Sequence, residues 1–298
     1  MKKGFILTTT ALQLLFLSAC LDSDDGDDQD LRSPEIGPSA NLQNILPEHF
    51  SEVASDATSI PLAFEVRDES GISEIVVEAH SGFDGHTHGR ITNSEFVLFS
   101  YNHIITKEAM DDTFVFQSGV GDDPTIYLDG RNSLIPDGAL ILAGPYHFSI
   151  KATDVTGNET SYANNTTHHG TMYIHRDYAP QISPVAIDVS GRTVTGSVSR
   201  NTANESSSDI VFLWVYISRR NEENPAQEGE ISSEWIWGSS NWPHQFRPNS
   251  GEDLPDHQMI DLSNLLSNEQ AIFDMLDNEL LTVWAEDSNG NISVKSFE

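Results

Sequence analysis

The sequence predicts an all-β fold of two tandem antiparallel β-sandwich domains, and three observations support that prediction. Short runs in which apolar and polar residues alternate recur after about residue 33, and turn-forming residues separate them. Only residues 261–278 have apolar side chains at helical spacing, which predicts a short helical insertion. A motif of the form Ala-x-Asp-x-x-Gly-Asn occurs near the end of each half. We therefore divide the globular part into residues 33–176 and residues 177–298.

The first twenty residues, MKKGFILTTTALQLLFLSAC, have the pattern of an export signal. Lys2 and Lys3 precede an apolar stretch that is too short, and too polar in its middle, to span a membrane comfortably. The stretch ends in Leu-Ser-Ala-Cys, which resembles the lipobox of bacterial lipoproteins. That resemblance implies that residues 1–19 are removed and that a lipid on Cys20 anchors the chain to the membrane. An ordinary secretory signal with an incidental cysteine is the alternative.

Residues 20–32 are predicted to form a disordered acidic tether, because a run of like charges repels itself and buries no apolar surface. Six aspartates lie there before the first cation, Arg32: Asp22, Asp24, Asp25, Asp27, Asp28 and Asp30. Acid-rich segments after the lipidated cysteine resemble the surface-export signals of some gram-negative lipoproteins, and a solvated spacer is the alternative. We expect the chain to be anchored in the outer membrane and exposed at the cell surface, with the periplasmic face as the alternative.

The charge balance and the cysteine count restrict the partners of the chain. It has 15 Lys and Arg residues against 46 Asp and Glu residues, a formal net charge of −31. Such a field disfavours nucleic acid, whose phosphates require cations, and a peripheral contact with anionic lipid. Cys20 is the single cysteine, so the lipidated chain has no thiol. Any metal site must therefore use histidine, carboxylate or carbonyl ligands.

Each domain is predicted to contain a set of short strands. In the first domain the runs are residues 59–68, 73–80, 95–105, 112–119, 144–154 and 171–175. In the second domain the runs are residues 192–200, 209–220, 234–240 and 280–297. Asp261 or Ser263 is a candidate cap for the helical insertion. Five of its residues are predicted to bury one side: Leu265, Leu266, Ile272, Phe273 and Leu276.

The repeated motif predicts a tight hairpin turn in each domain. The aspartate closes the turn through its side chain, and the glycine, Gly157 or Gly290, takes a positive φ angle. These turns resemble the last hairpin of bacterial immunoglobulin-like domains, which implies that fold for both domains. Calcium binding by Asp154 and Asp287 is the alternative. The turn is favoured because no run of further carboxylates accompanies either aspartate.

Nine of the eleven histidines precede residue 176 and so belong to the first domain. Strand alternation places His80 and His147 on the outer faces of their strands, because their neighbours form the apolar faces. In an immunoglobulin-like arrangement these strands, C and F, are neighbours in one sheet. The two side chains are therefore candidates for a shared ligand, although the register between the strands is not readable from the sequence.

The segment AHSGFDGHTHGR, residues 79–90, contributes two more histidines, His86 and His88, which point to the same side of an extended chain. Glycines let the backbone bend around an ion, and Asp84 is a further ligand or a partner that orients an imidazole. Three or four nitrogen ligands without a thiolate suit Zn²⁺, Cu²⁺ or Ni²⁺, and we expect zinc or copper. Ordinary turn chemistry, in which the histidines only form hydrogen bonds, is the alternative.

One pattern runs through the first domain: a strand ending in His, a Gly-His-x-His segment, and a Tyr-His-Phe strand that leads to Asp-x-x-Gly-Asn. The residues that carry it are His80, Gly85, His86, His88, Tyr146, His147, Asp154, Gly157 and Asn158. With the lipobox and the acidic tether, residues 33–176 resemble a family of uncharacterised bacterial surface lipoproteins. The resemblance implies the fold and the location, and it transfers no activity. The second domain keeps the hairpin but lacks the histidine set.

The sequence contains no nucleophile elbow, phosphate loop or zincin helix, and no general base can be assigned beside the histidines, so no enzyme is predicted. The second domain offers another candidate site. Trp235, Trp237 and Trp242 lie among polar residues, and exposed aromatics stack on sugars or anchor protein partners. The alternative function is therefore an adhesin-like module that binds glycan or protein. Packing of this strand on the sandwich edge is the favoured explanation of the tryptophans.

Overall fold

The computed structural model describes residues 30–39, 42–83, 95–106, 112–117, 125–219 and 229–298. The described residues from Arg32 to Glu298 belong to one compact unit. The predicted signal peptide, Cys20 and nearly all of the predicted tether lie outside the described residues. Among the residues that are described, no helix is both long enough and apolar enough to cross a membrane.

Short strands form the first half of the compact unit, as the alternating pattern predicts. They are β1 (Glu35–Gly37), β2 (Ser51–Val53), β3 (Ser59–Ile60), β4 (Ala63–Arg67), β5 (Ile72–Ser81), β6 (Phe96–Val97), β7 (Tyr101–Thr106), β8 (Thr113–Gln117), β9 (Ile126–Tyr127), β10 (Leu140–Ile141), β11 (Gly144–Asp154) and β12 (His168–Ile174). The predicted run 59–68 is interrupted at Pro61, because proline has no N–H to donate to a neighbouring strand. The predicted run 95–105 also divides, since β6 pairs with β10 whereas β7 pairs with β5.

Two main sheets in this half form an immunoglobulin-like sandwich. One has the order β1-β4-β8, and the other has the order β2-β12-β11-β5-β7. Strand pairs in these sheets are antiparallel, except that β2 runs parallel to β12. Inward side chains from both sheets, among them Phe64, Phe116, Ile75 and Phe148, share one hydrophobic core. β5 and β11 thus occupy the predicted positions C and F.

The second half repeats this architecture. Its strands are β13 (Gln181–Ile182), β14 (Ala186–Asp188), β15 (Thr193–Thr195), β16 (Ser197–Ser199), β17 (Ile210–Arg219), β18 (Ile231–Gly238), β19 (Met259–Asp261), β20 (Glu279–Asp287) and β21 (Ile292–Phe297). One sheet has the order β13-β16-β19, and the other has the order β18-β17-β20-β21. The fold is therefore all-β with multiple antiparallel sheets, as predicted.

The predicted helical insertion lies between β19 and β20 and consists of two short helices, α1 (Leu262–Leu266) and α2 (Gln270–Phe273). Asp261 is the cap of α1, and its side chain accepts a hydrogen bond from the backbone N of Ser263. The predicted burial of Leu276 is wrong, because α2 ends before it and its side chain is 54% exposed.

Buried side chains from both sandwiches meet in one cluster. Phe83 and Tyr146 of the first sandwich belong to the same hydrophobic cluster as Trp242 and Trp284 of the second. A separate cluster fills the space between the two sheets of the second sandwich. The domain division at residues 176 and 177 remains a prediction. The two sandwiches share buried side chains within the described part of the compact unit.

Candidate metal centre

His80 and His147 lie directly opposite each other on adjacent strands. β5 and β11 are antiparallel, and their register pairs His80 with His147. The two ring centres are 5.6 Å apart, and the ring planes are tilted by 53°. Both side chains are half-buried, whereas Ala79, Tyr146 and Phe148 beside them are buried in the core. The structure thus brings these two sequence-predicted residues together on the outer face of the sheet.

Hydrogen bonds of the neighbouring residue Tyr146 fix the strand that carries His147. Tyr146 is fully buried, and its hydroxyl donates a hydrogen bond to the carbonyl of Leu142 at 2.8 Å. The same hydroxyl accepts a hydrogen bond from the backbone N of Phe99 at 3.3 Å. A side chain on a strand fixed in this way is better positioned for ligation than one on a loop.

The spacing of the two rings is close to that of imidazoles sharing one ion. Zinc–nitrogen distances of about 2.0–2.1 Å and tetrahedral angles put two such ring centres about 5 Å apart. Small side-chain rotations, without a backbone shift, cover the difference from the observed 5.6 Å. Two imidazoles leave half of a tetrahedral shell to other ligands. The other predicted ligands, Asp84, His86 and His88, lie outside the described residues, and their contribution stays a prediction.

The Nε2 edge of His147 lies against the start of the predicted histidine segment. A Cβ atom built on Gly82 would be 3.0 Å from His147 Nε2 and 3.2 Å from the carbonyl oxygen of Pro145. A larger residue at position 82 would therefore displace the imidazole. Three residues separate this glycine from His86 in the sequence.

A charged pair lies on the same face, two residues before His80. Lys151 Nζ donates a hydrogen bond to Glu78 at 2.7 Å. This hydrogen bond holds the pKa of Glu78 below its usual range and the pKa of Lys151 above its usual range. Both groups are consequently charged at neutral pH. The Glu78 carboxylate is already engaged by this ion pair, so it is not poised to act as a general base.

Three further histidines, His49, His168 and His169, lie on or next to this sheet. Burial lowers the pKa of His168 to about 4, which makes it neutral at physiological pH, and its ring packs against Phe148. His49 Nδ1 accepts a hydrogen bond from the backbone N of Thr171 at 2.9 Å. His169 is exposed on the outer face of β12, opposite Ser149 of β11. None of these three is part of the cross-strand pair.

Of the three tryptophans considered as a candidate ligand site, Trp235, Trp237 and Trp242, two are buried. Trp237 and Trp242 are only 7% and 2% exposed, and Trp235 is half-buried. Trp237 points into the core of the second sandwich, and Trp242 Nε1 donates a hydrogen bond to the carbonyl of Gly290 at 2.8 Å. Their polar sequence neighbours suggested exposure, but strand alternation and contacts between the sandwiches bury both rings.

Both repeated turns form as predicted. Gly157 and Gly290 have φ angles of 92° and 91°, and each aspartate accepts a hydrogen bond from the backbone N of the asparagine four residues later. A carboxylate oxygen of Asp68 lies within 4.8 Å of one of Asp154, a proximity in space that the sequence did not show. Hydrogen bonds from the turn itself engage both oxygens of Asp154, so its position needs no ion to explain it.

The fold and this histidine pair define an all-β, immunoglobulin-like protein with a candidate metal centre on one sheet. The chain matches the family model DUF4625, described as a domain of unknown function, over residues 18–167. That match covers 150 of the 298 residues, and the chain belongs to this family. The finding confirms the prediction of an uncharacterised family. No match was found among curated proteins.

The chain is similar to several solved structures at low sequence identity. The tetra-tandem repeat in the extending region of a large adhesion protein is 13% identical with a TM-score of 0.27, and the match covers 89% of this chain and 48% of that one. E. coli alpha-2-macroglobulin is 10% identical with a TM-score of 0.24, covering 89% of this chain and 16% of that one. CBD12 from CALX1.2 is 12% identical with a TM-score of 0.22, covering 80% and 77%. The chain thus spans about half the length of the adhesion-protein structure.

Proposed function

We propose that this chain is a lipid-anchored protein of the cell envelope whose first sandwich binds a transition metal ion, zinc or copper. The observation that carries the proposal is the cross-strand pair of His80 and His147, with ring centres 5.6 Å apart. His86 and His88 are the proposed additional ligands, and Asp84 ligates the ion or orients an imidazole. The proposed anchor is a lipid on Cys20.

The chemistry of the donor set supports a borderline transition metal. Imidazole nitrogens suit zinc and copper, whereas calcium and magnesium prefer oxygen ligands. Lipidation of Cys20 removes the single thiol, so no thiolate competes for the ion. The formal net charge of −31 raises the local concentration of divalent cations around the chain.

Binding, rather than catalysis, is the proposed activity. A catalytic metal needs an open coordination position together with a positioned base. Glu78, the carboxylate on the same face two residues before His80, is engaged by Lys151 at 2.7 Å. The proposed role is therefore to capture the ion or to be stabilised by it. The adhesin-like alternative has weaker support, because Trp237 and Trp242 lie in the interior.

The test is a calorimetric titration of the full chain carrying Cys20→Ser with Zn²⁺ and with Cu²⁺. We expect saturable binding of one ion at micromolar or tighter affinity. The His80→Ala/His147→Ala variant should lose it, and His86→Ala/His88→Ala should weaken it. The matched control is His103→Ala/His169→Ala, which removes two histidines of the same sheet and should bind like the parent chain.

An absence of saturable binding in the parent chain would overturn the proposal. Equal losses in the paired variant and in the control would overturn the assignment of the site. The anchor is tested by fractionating cells that express the chain. The wild-type chain is expected with the membranes and the Cys20→Ser variant in the soluble fraction.

A further inference from the structure

A small cavity lies where the two sandwiches meet the segment that joins them. This junction cavity has a volume of about 220 Å³, which is smaller than the clefts of about 300–1,000 Å³ that hold drug-sized ligands. Glu52 of β2 lines it from the first sandwich, and Lys295 of β21 lines it from the second. His175, Arg176 and Asp177, between β12 and β13, complete its charged and titratable lining. The described ligands of the proposed metal centre do not line it, so the two candidate sites are separate.

Two of the fifteen Lys and Arg residues of the chain are held in the wall of the junction cavity. Arg176 Nη1 donates hydrogen bonds to the carbonyl oxygens of Ala54 at 3.4 Å and Ser55 at 3.3 Å. Lys295 Nζ donates a hydrogen bond to the carbonyl oxygen of Ile182 at 3.1 Å. An ammonium group has three donors, so Lys295 can also donate to an anion in the cavity.

His175 supplies a polar atom that the described residues leave without a hydrogen bond. Its Nε2 atom is enclosed and has no hydrogen-bond partner among those residues. The Oε2 atom of Glu52 is 3.7 Å from it, which is too far for a hydrogen bond. Burial lowers the pKa of His175, so the imidazole is neutral at physiological pH. Because buried polar groups are normally paired, a polar molecule in the cavity would supply the partner that this nitrogen lacks.

The two signs of charge occupy different parts of the junction cavity. Arg176 and Lys295 are half-buried, whereas Glu52 and Asp177 are exposed. The positive charge therefore lies in the interior of the cavity and the negative charge lies near its opening. The two cations balance the two carboxylates, so a bound molecule that carries both a carboxylate and an ammonium group leaves the site neutral and complements both regions.

We propose that the junction cavity binds a small zwitterionic molecule of the α-amino-acid class. The carboxylate of the ligand accepts a hydrogen bond from Lys295. Its ammonium group donates to Glu52 and to Nε2 of His175, which are close enough for one nitrogen to reach both. A water molecule occupies about 30 Å³ of the liquid, so the cavity holds on the order of seven non-hydrogen atoms, the size of a small amino acid.

The experiment is a calorimetric titration of the metal-free Cys20→Ser chain with glycine, L-alanine and L-serine. Propionate and ethylamine are the matched probes, since propionate lacks the ammonium group of alanine and ethylamine lacks its carboxylate. We expect saturable binding of at least one amino acid with a dissociation constant below about 1 mM. Each matched probe loses one charge-assisted contact and should bind more weakly, on the order of tenfold or more.

Two variants locate the binding site in the junction cavity. Lys295→Met keeps the apolar stem but removes the ammonium group, and it should weaken amino-acid binding on the order of tenfold. Lys151→Met is the matched control, because it makes the same change at a lysine that pairs with Glu78 outside the cavity. Glu52→Gln should weaken amino-acid binding and leave the affinity for propionate unchanged. It changes an exposed side chain, so it serves as the test variant if Lys295→Met does not fold.

The outcomes separate this inference from the proposed metal binding. A chain that binds none of the three amino acids overturns the inference and leaves the metal proposal untouched. Propionate that binds as tightly as alanine overturns the assignment of a zwitterion. Equal affinities in Lys295→Met and Lys151→Met, or an equal loss of alanine and propionate in Glu52→Gln, overturn the placement of the ligand.

Discussion

The two Asp-x-x-Gly-Asn turns have nearly the same local geometry and a buried aspartate, but the residues that follow the aspartate differ in exposure. Asp154 and Asp287 accept hydrogen bonds from the backbone N of the asparagine four residues later at 2.8 Å and 2.9 Å. The first turn lies at the surface, with residues 155–157 exposed. In the second turn, Gly290 is buried and Asn291 is 0% exposed.

The second turn is buried because it docks against the first sandwich. The Oδ1 atom of Asn291 accepts a hydrogen bond from the backbone N of Ala143 at 3.1 Å. The backbone N of Ile292 donates to the carbonyl of the same alanine at 2.8 Å. Trp242 covers Gly290 and binds its carbonyl at 2.8 Å. One copy of the motif therefore only reverses the chain, while the other also joins the sandwiches.

Because of this difference in surroundings, the pKa values of the two aspartates shift in opposite directions. Burial raises the pKa of Asp287 to about 6 despite its hydrogen bonds from Asn291. At Asp154 burial also acts to raise the pKa, but hydrogen bonds from Asn158 and Thr156 together outweigh it and lower the value. The motif determines the hydrogen bonds of the turn, and the packing around it determines how readily the carboxyl ionises.

Replacing the aspartate of each turn should give the largest difference in stability between the two turns. Asp287→Ala leaves two backbone N–H groups and the Asn291 amide without an acceptor in a buried site. We expect it to lower the free energy of unfolding by about 4 kcal/mol. Asp154 is also buried, at 1% exposure, but residues 155–157 beside it are exposed, so water can satisfy the donors that Asp154→Ala leaves and the expected loss is about 1–2 kcal/mol. Urea denaturation of both variants measures the difference, and equal losses would contradict the proposed role of the junction.

The free energy of unfolding should depend on pH differently through each aspartate. The two effects should differ in their pH range and in their sign. The raised pKa of Asp287 contributes stability that is present below its ordinary value near 3.8 and is lost as pH rises through about 6. Relative to Asp287→Asn, the wild-type chain should therefore lose up to about 3 kcal/mol of unfolding free energy between about pH 4 and pH 7. Urea midpoints measured across this range test it.

Asp154→Asn is the control for that measurement. The lowered pKa of Asp154 contributes stability that is present above its ordinary value and is lost as pH falls through the folded-state value. The difference between wild type and Asp154→Asn should therefore stay flat above about pH 4.5 and shrink only below it. A slope of the same sign for both variants would show that the two carboxyls do not differ as described.

Replacing the turn glycines should give the smallest difference in stability between the two turns. Both turn glycines have φ near 90°, so Gly157→Ala and Gly290→Ala share a backbone cost of about 1–2 kcal/mol. At Gly290 the added Cβ would lie 3.1 Å from the buried Trp242 ring, whereas nothing lies within 4 Å at Gly157. We expect Gly290→Ala to cost about 1 kcal/mol more, measured as a thermal or urea midpoint.

Local pattern was sufficient to predict much of the fold. Strand alternation placed His80 and His147 on one face, and the repeated motif placed Gly157 and Gly290 in left-handed conformations. These features depend on residues close together in sequence. The register that sets the two histidines opposite each other depends on strands about 67 residues apart, so local pattern could not supply it.

The contacts between the two sandwiches could not be predicted from local sequence patterns. Trp237 and Trp242 have polar neighbours in sequence, yet one fills a sandwich core and the other fills the junction. Arg247 carries no motif, and its bond to Phe83 spans 164 positions. The candidate site was thus half predictable: the face of the sheet followed from the residues, while the register of the two histidines and the contacts between the sandwiches followed only from tertiary packing.

The family match leaves out β12, a strand in the interior of its sheet. The family match ends at residue 167, one position before β12 begins, and β12 lies between β11 and β2. A fragment trimmed to that match would expose the hydrogen-bonding edge of β11 and leave β2 with no strand to join. The unpaired N–H and C=O groups of such an edge can form hydrogen bonds with strands of other molecules. The stretch that the family model matches is therefore shorter than the stretch that keeps the edge of β11 paired.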